Sequence, residues 1–187
     1  MTPNYTILVN SEHKLPEGFE DTITLVRAEN AVGEVYQVEQ KTYEAFLRLR
    51  QDLLENDGIQ AELISAYRTV QTQEEIFQHY TKRFGLEYAQ TYAAKPGHSE
   101  HHTGFAIDVG FLLDGKVDHA IASLLSVEHL FKIVHKKLHQ YGFILRYPAD
   151  KKEATKIGYE PWHFRYIDSA ELAREMAERN LCMEEYF

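Results

Sequence analysis

The chain has 187 residues, a formal net charge of −9, and ordinary hydrophobic and charged contents of 44% and 26%. This length suits one domain that buries a core without disulfide staples. The negative charge argues against nucleic acid or anionic membrane as the main partner. The single cysteine, Cys182, excludes an intramolecular disulfide.

The N-terminal residues contain neither the basic region nor the apolar run of a signal peptide, and no later segment has the length and apolarity of a membrane span. We therefore expect a cytoplasmic protein, or a cell-envelope protein if an export segment is absent from this chain. The sequence does not indicate an oligomeric state.

Hydrophobic periodicity predicts alternating strands and amphipathic helices along the whole chain. The predicted strands are residues 5–9, 22–26, 61–66, 105–110, 142–147 and 162–166. The predicted helices are residues 35–54, 72–85, 126–141 and 169–179. Residues 85–95 form a linker or short helix, and residues 148–158 form a charged loop.

The segment 96–110 concentrates histidines, acids and glycines ahead of an apolar strand. In that strand the large apolar residues alternate with small ones, and Asp108 shares a face with Ala106 and Gly110. A carboxylate on a strand face whose other residues are small, seven residues after His101, is typical of a metal site. The alternative is a capping or ion-paired aspartate beside a solvated histidine loop.

A second polar strand, residues 159–166, offers a partner for this segment. Glu160 and His163 would point to opposite faces of a regular strand, but Pro161 favours a bend that turns both toward one point. Two histidines and one carboxylate, with a further carboxylate nearby, match a catalytic zinc site with an open position for water.

Two other features carry weaker signals. Arg68 lies between a strand and a helix, where it either reaches a pocket or forms a surface ion pair. His135 and His139 are one helical turn apart, but Lys136 occupies the position where a zinc peptidase helix needs glutamate, so a metal site there is disfavoured.

Four blocks in this order resemble the zinc D-alanyl-D-alanine carboxypeptidase family, which includes VanY-like D,D- and L,D-carboxypeptidases and D,D-dipeptidases. The blocks are Ser-Ala-Tyr-Arg ending at Arg68, Gln73, the stretch from Ser99 to Asp108, and Glu-Pro-Trp-His ending at His163. Each block is weak alone, whereas the set in this order is specific. Ala66 stands where many relatives have glycine.

The resemblance implies one zinc ion per chain held by His101, Asp108 and His163. It also implies Glu160 as the general base and Arg68 as the group that stabilises the oxyanion. Ser99, Gln73 and Tyr147 fall where relatives contact the C-terminal end of the substrate. His98 and His102 match no ligand position.

The resemblance further implies a single α+β domain with a small, mainly antiparallel sheet flanked by helices, as in hedgehog-like peptidases. It would span residues 1–187, with 1–35 peripheral and the catalytic blocks within 65–166. The expected activity is zinc-dependent release of D-alanine from peptidoglycan peptides. Alternatives are an L,D-carboxypeptidase, a D,D-dipeptidase, a peptidoglycan endopeptidase and a non-catalytic zinc-binding module.

Overall fold

The structure is a computed structural model that describes residues 3–187. The described chain contains seven strands: β1 (Leu25–Glu29), β2 (Val35–Glu39), β3 (Ala61–Ser65), β4 (Ala106–Leu113), β5 (Lys116–Val117), β6 (Phe143–Leu145) and β7 (His163–Tyr166). It contains eight α-helices: α1 (Gln40–Asp57), α2 (Val70–Phe84), α3 (Leu86–Tyr92), α4 (Ile121–Ser126), α5 (Glu128–Leu138), α6 (Lys152–Thr155), α7 (Ala170–Glu178) and α8 (Met183–Tyr186).

The central sheet is antiparallel and has the strand order β3-β4-β7-β6, with β5 paired to the end of β4. Strands β1 and β2 form a separate antiparallel hairpin. The predicted α+β class with a mainly antiparallel sheet is therefore confirmed. No helix within residues 3–187 has both the length and the apolarity needed to cross a bilayer.

The hydrophobic core lies between the sheet and the helices α1 and α5. Strand β4 and the residue before it bury Phe105, Ile107 and Val109 completely, as the alternating pattern predicts. Helix α1 contributes its buried apolar stripe, and α5 contributes Phe131 and Val134. This packing fixes β4 and β7, the two strands that carry polar residues of the candidate site.

Three predicted elements differ clearly from the structure. The strand predicted over residues 22–26 begins only at Leu25, because Thr22 still belongs to the 3-10 helix Phe19–Thr22.

The helix predicted over residues 35–54 starts only at Gln40, because residues 35–39 pair with β1 in full register. The Glu39 side chain then accepts a 2.9 Å hydrogen bond from the amide of Thr42 and caps the helix.

The strand predicted at residues 5–9 is irregular. Its carbonyls at Tyr5 and Ile7 accept hydrogen bonds from the buried Arg165 side chain instead of from a neighbouring strand. The Tyr5 ring packs 4.5 Å from the ring of Phe105. The N-terminal segment, predicted to be peripheral, thus contributes buried residues to the core.

Candidate metal centre

Asp108 of β4 and His163 of β7 are direct cross-strand partners. Their side chains share one face of the sheet, and Asp108 Oδ1 lies 3.1 Å from His163 Nδ1. Adjacent antiparallel strands hold opposite side chains about 5 Å apart at Cβ, which is close enough for two ligands of one metal ion.

His101 reaches the same point from the short 3-10 helix Glu100–Thr103, which precedes β4. Its Nδ1 atom lies 2.6 Å from the backbone carbonyl of Ala66. Because a carbonyl only accepts, this contact places the proton on Nδ1 and leaves the Nε2 lone pair facing Asp108, whose Oδ2 is 3.3 Å away.

The three side chains fit a tetrahedral zinc ion. One donor atom from each of His101, Asp108 and His163 lies within 4.8 Å of the others. Bonds of 2.0–2.2 Å at tetrahedral angles require donors about 3.4 Å apart. His101 Nε2 and Asp108 Oδ1 are buried and form no hydrogen bond of acceptable geometry despite these short contacts. Such orphaned atoms are the observation a metal ion would explain.

Glu160 lies beside the three donors. The amide of His163 donates a 3.2 Å hydrogen bond to the Glu160 carbonyl, so the chain turns at Pro161 and brings both side chains to one point. Glu160 Oε2 is 3.5 Å from His163 Nδ1. Burial raises the pKa of the Glu160 carboxyl to about 8.

The buried donors polarise one another in the metal-free protein. Burial and the nearby Arg68 charge lower the pKa of His101 to about 4. Burial alone would raise the pKa of Asp108, but contacts with His101 and His163 hold it well below its usual range. Burial opposes charging of His163, yet close contacts with the Asp108 and Glu100 carboxylates raise its pKa to about 9.

Arg68 is directed into the site rather than to the surface. One terminal nitrogen donates to Gln73 Oε1 at 2.8 Å, and the other lies 3.4 Å from Asp108 Oδ2. Its Nε is buried and has no partner within the described chain. Arg68 therefore places a terminal nitrogen beside the candidate ligand Asp108 and keeps a buried Nε without a partner.

Ser99, Gln73 and Tyr147 all line a cavity of about 30 Å³ next to His101, Glu160 and His163. The Gln73 amide is bonded at both ends, to Arg68 and, at 2.8 Å, to the carbonyl of Ala94. The Tyr147 ring centroid is 4.8 Å from that of His163. The remaining walls of this cavity, called the leaving-residue pocket below for the role proposed for it, come from Arg68, Tyr92, Ala93, Ala94 and Ile157.

A larger cleft of about 530 Å³ opens on the other side of Asp108 and Glu160. Trp162, Tyr80 and Ile121 are among its lining residues. The open space that the small neighbours of Asp108 predicted is found in this cleft, which Asp108 lines. The space beside Gly110 is filled, because a Cβ there would lie 2.9 Å from a methyl of Ile64.

Three further histidines have structural partners. His102 contacts the Arg68 carbonyl at 2.7 Å and accepts from the Gly97 amide, and His98 contacts the Asn10 carbonyl. His135 Nε2 lies 2.8 Å from the Pro161 carbonyl. The candidate metal-binding group found within residues 3–187 includes neither His135 nor His139.

Sequence reasoning missed Glu100, whose Oε2 lies 3.4 Å from His163 Nε2. Its place immediately before the histidine His101 is the one signal in the sequence that points to it.

Comparison with known proteins finds relatives that align with most of this chain. A bifunctional D-Ala-D-Ala dipeptidase and D-Ala-D-Ala carboxypeptidase, VanXYC of Enterococcus gallinarum, is 37% identical over 86% of this chain and 82% of its own. The solved structure of the LD-carboxypeptidase LdcB aligns with a TM-score of 0.82 and 32% identity over 99% of this chain and 86% of its own.

A VanY D,D-pentapeptidase variant from a VanB-type resistance cassette, solved in complex with Zn(II), aligns with a TM-score of 0.79. It is 28% identical over 97% of this chain and 98% of its own. The sequence model described as "VanY: D-alanyl-D-alanine carboxypeptidase" matches residues 35–169, which include all the residues of the candidate centre. The chain therefore belongs to the VanY family of D-alanyl-D-alanine carboxypeptidases.

Proposed function

We propose that this protein is a zinc-dependent carboxypeptidase that releases the C-terminal D-alanine from peptidoglycan stem peptides. The observation that carries the proposal is the meeting of three buried donors with a fourth carboxylate, Glu160, that is outside the donor set. Catalytic zinc sites combine three protein ligands with such a neighbouring base.

His101 through Nε2, Asp108 through its carboxylate and His163 through Nδ1 would hold the zinc ion. Bound there, the ion would act as a Lewis acid that polarises the scissile carbonyl and acidifies a water molecule. The hydrogen bond from His101 to the Ala66 carbonyl and the contact between His163 and Glu100 orient the two imidazole rings for this role.

Glu160 acts as the general base. Its carboxylate accepts a proton from the attacking water, whose oxygen forms a bond to the scissile carbonyl carbon. When the C–N bond breaks, Glu160 returns this proton to the leaving amine.

Arg68 stabilises the oxygen that becomes negative as water adds to the carbonyl. Its free Nε and a fixed guanidinium plane provide charged donors without reorganisation, which is the source of large electrostatic effects in catalysis. Gln73 holds this guanidinium in place through the 2.8 Å hydrogen bond. We assign Gln73 to positioning Arg68 because both ends of its amide are already bonded.

The leaving-residue pocket explains a preference for alanine. Its volume of about 30 Å³ and its walls at Ala93 and Ala94 accept a methyl group but no long side chain. Ser99 and Tyr147 supply hydroxyl groups for the terminal carboxylate of the substrate. The cleft of about 530 Å³ on the other side exceeds the needs of one alanine residue, which favours a stem peptide over a free dipeptide.

The test is amino-acid release from a stem pentapeptide, its tetrapeptide and free D-Ala-D-Ala, with zinc-loaded protein and with chelator-treated protein. Zinc-dependent release from the pentapeptide supports the proposal. Release only from the tetrapeptide would identify an L,D-carboxypeptidase, and release only from the dipeptide a dipeptidase. Cleavage of a pentapeptide whose C-terminus is amidated would instead indicate an endopeptidase. No release by zinc-bound protein would indicate a binding module.

A further inference from the structure

A buried charge cluster lies behind the metal centre. Arg146 and Arg165 are completely buried, and both donate at 2.7 Å to the same oxygen, Oε1, of Glu100. Burying two guanidinium groups is costly unless each is paired and hydrogen-bonded. Glu100 therefore has little freedom to move.

The other oxygen of Glu100 faces the candidate zinc ligand His163. Glu100 Oε2 lies 3.4 Å from His163 Nε2, while Nδ1 of the same ring points to Asp108. A carboxylate at Nε2 accepts a hydrogen bond from the Nε2–H group, which keeps the proton on Nε2 and leaves the Nδ1 lone pair for a metal ion. The two oxygens of Glu100 thus join the charge cluster to the metal centre.

The cluster is completed by the two ends of the described chain. Glu184 of α8 binds Arg146 through two hydrogen bonds of 2.6 and 2.8 Å, and it accepts a third from Asn10 at 3.1 Å. Arg165 donates to the carbonyls of Tyr5 and Ile7 at 3.0 and 2.9 Å. Two glutamates balance two arginines, so removing one carboxylate leaves a net buried positive charge.

We propose that Glu100 is a positioning residue for His163, and that Glu184 of the C-terminal helix, acting through Arg146, holds Glu100 in place and so sets the zinc affinity. This inference rests on the assignment of His163 as a zinc ligand. It gives the C-terminal helix a role in the catalytic centre although none of its side chains touches a metal ligand.

Replacing the Glu100 carboxylate by an amide shows how Glu100 controls the protonation of the His163 ring. In Glu100→Gln, the two arginines would attract the amide oxygen, and the amide NH2 group would face His163 Nε2. His163 would then accept there and carry its proton on Nδ1, which blocks the lone pair needed for zinc. The variant would weaken zinc binding through the wrong tautomer as well as through lost charge.

The decisive variant is Glu184→Gln, since Glu184 is at the edge of the cluster and its removal disturbs the core least. Its matched control is Glu185→Gln, on the same helix, where the carboxylate pairs with Lys151 instead. Zinc dissociation constants are measured by competition with a chromophoric chelator, and folding is checked by circular dichroism. We expect Glu184→Gln to bind zinc about 10-fold or more weakly and Glu185→Gln to match the parent.

A double-mutant cycle separates positioning of His163 from general destabilisation. In a His163→Ala background, Glu184→Gln should cause no further loss of zinc affinity, whereas in a His101→Ala background it should cause its full loss. Equal losses in both backgrounds, or parent-like affinity of folded Glu184→Gln, would overturn the proposal. If His163→Ala itself bound zinc as tightly as the parent, the ligand assignment would fail instead.

Discussion

His163 Nδ1 lies 3.1 Å from Asp108 Oδ1, and the two residues are register partners across β4 and β7. Two donors of the centre are thus set by sheet pairing, and the third comes from the 3-10 helix that leads into the same sheet. The sheet holds these donors together before metal binds, so metal binding should stabilise the folded state.

Removal of zinc should lower thermal stability. At a free zinc concentration 1,000 times the dissociation constant, binding stabilises the folded protein by about 4 kcal/mol, which raises the melting temperature by roughly 8–16 °C for a chain of this size. Calorimetry with zinc and with a chelator measures the difference. In Asp108→Asn most of this difference in melting temperature between zinc-loaded and chelator-treated protein should disappear. An unchanged melting temperature on chelation would contradict the proposed site.

Substitution of Glu160 should separate catalysis from metal binding. Glu160→Gln removes the base but leaves the three donors, so we expect normal zinc content and a kcat reduced on the order of 10²- to 10⁴-fold. Turnover of a pentapeptide and metal analysis provide the two readouts. Glu153→Gln, an exposed change on α6, is the control. Undiminished turnover of Glu160→Gln would remove this residue from the role of base.

Filling the leaving-residue pocket should discriminate between C-terminal residues. Ala94→Leu adds three carbon atoms at the wall of a cavity of about 30 Å³. We expect kcat/KM for release of D-alanine to fall about 10-fold or more, as one to three methylenes in a pocket can cause. Release of C-terminal glycine should fall less, because glycine has no methyl group to exclude.

The control for the pocket experiment is Ala122→Leu, an exposed change of the same kind on α4. Equal losses for D-alanine and glycine in Ala94→Leu would show that the cavity does not hold the terminal side chain.

His135 should make stability depend on pH. Burial lowers the pKa of His135 below 6.5, although its contact with the Pro161 carbonyl partly opposes this shift. The folded protein therefore favours neutral His135, and this contribution to stability is present above the unfolded pKa of about 6.5 and is lost as pH falls below it. The contribution of His135 to the free energy of unfolding should thus fall between pH 7.5 and pH 5.

In His135→Gln this pH-dependent drop should be smaller, because glutamine does not titrate. Other buried histidines contribute equally to both proteins, so the difference isolates His135. His129→Gln, an exposed change on the same helix, should behave like the parent. Denaturant unfolding at pH 7.5 and pH 5 measures the change in the free energy of unfolding for each protein. The same change in the parent and in His135→Gln would refute the prediction.

Most elements that meet at the site could be predicted from sequence, because their signals are local. Period-2 alternation identified β4 and β7, and the bend expected at Pro161 appears as a turn that brings Glu160 to His163. The resemblance to the zinc carboxypeptidase family implied that His101, Asp108 and His163 would meet, and the structure brings them together.

Other features depended on hydrogen-bond partners that periodicity does not reveal. Residues 35–39 have helical periodicity but form a hairpin with the neighbouring strand β1. Residues 5–9 alternate like a strand but give their carbonyls to Arg165, which is distant in the chain. In both segments the hydrogen-bond partner decided the structure, because buried backbone groups must be satisfied.

The sequence by itself determined the chemical groups of the centre and the strands that carry them, since residue type and periodicity are local properties. Only the tertiary structure decided how those groups are supported. It joined Glu100 to Arg146 and Arg165, brought Glu184 to Arg146 from the C-terminal helix, and bonded both ends of Gln73. The physical reason is that a buried charge can accept any opposite charge or polar group that the fold places beside it, and sequence distance does not limit the choice.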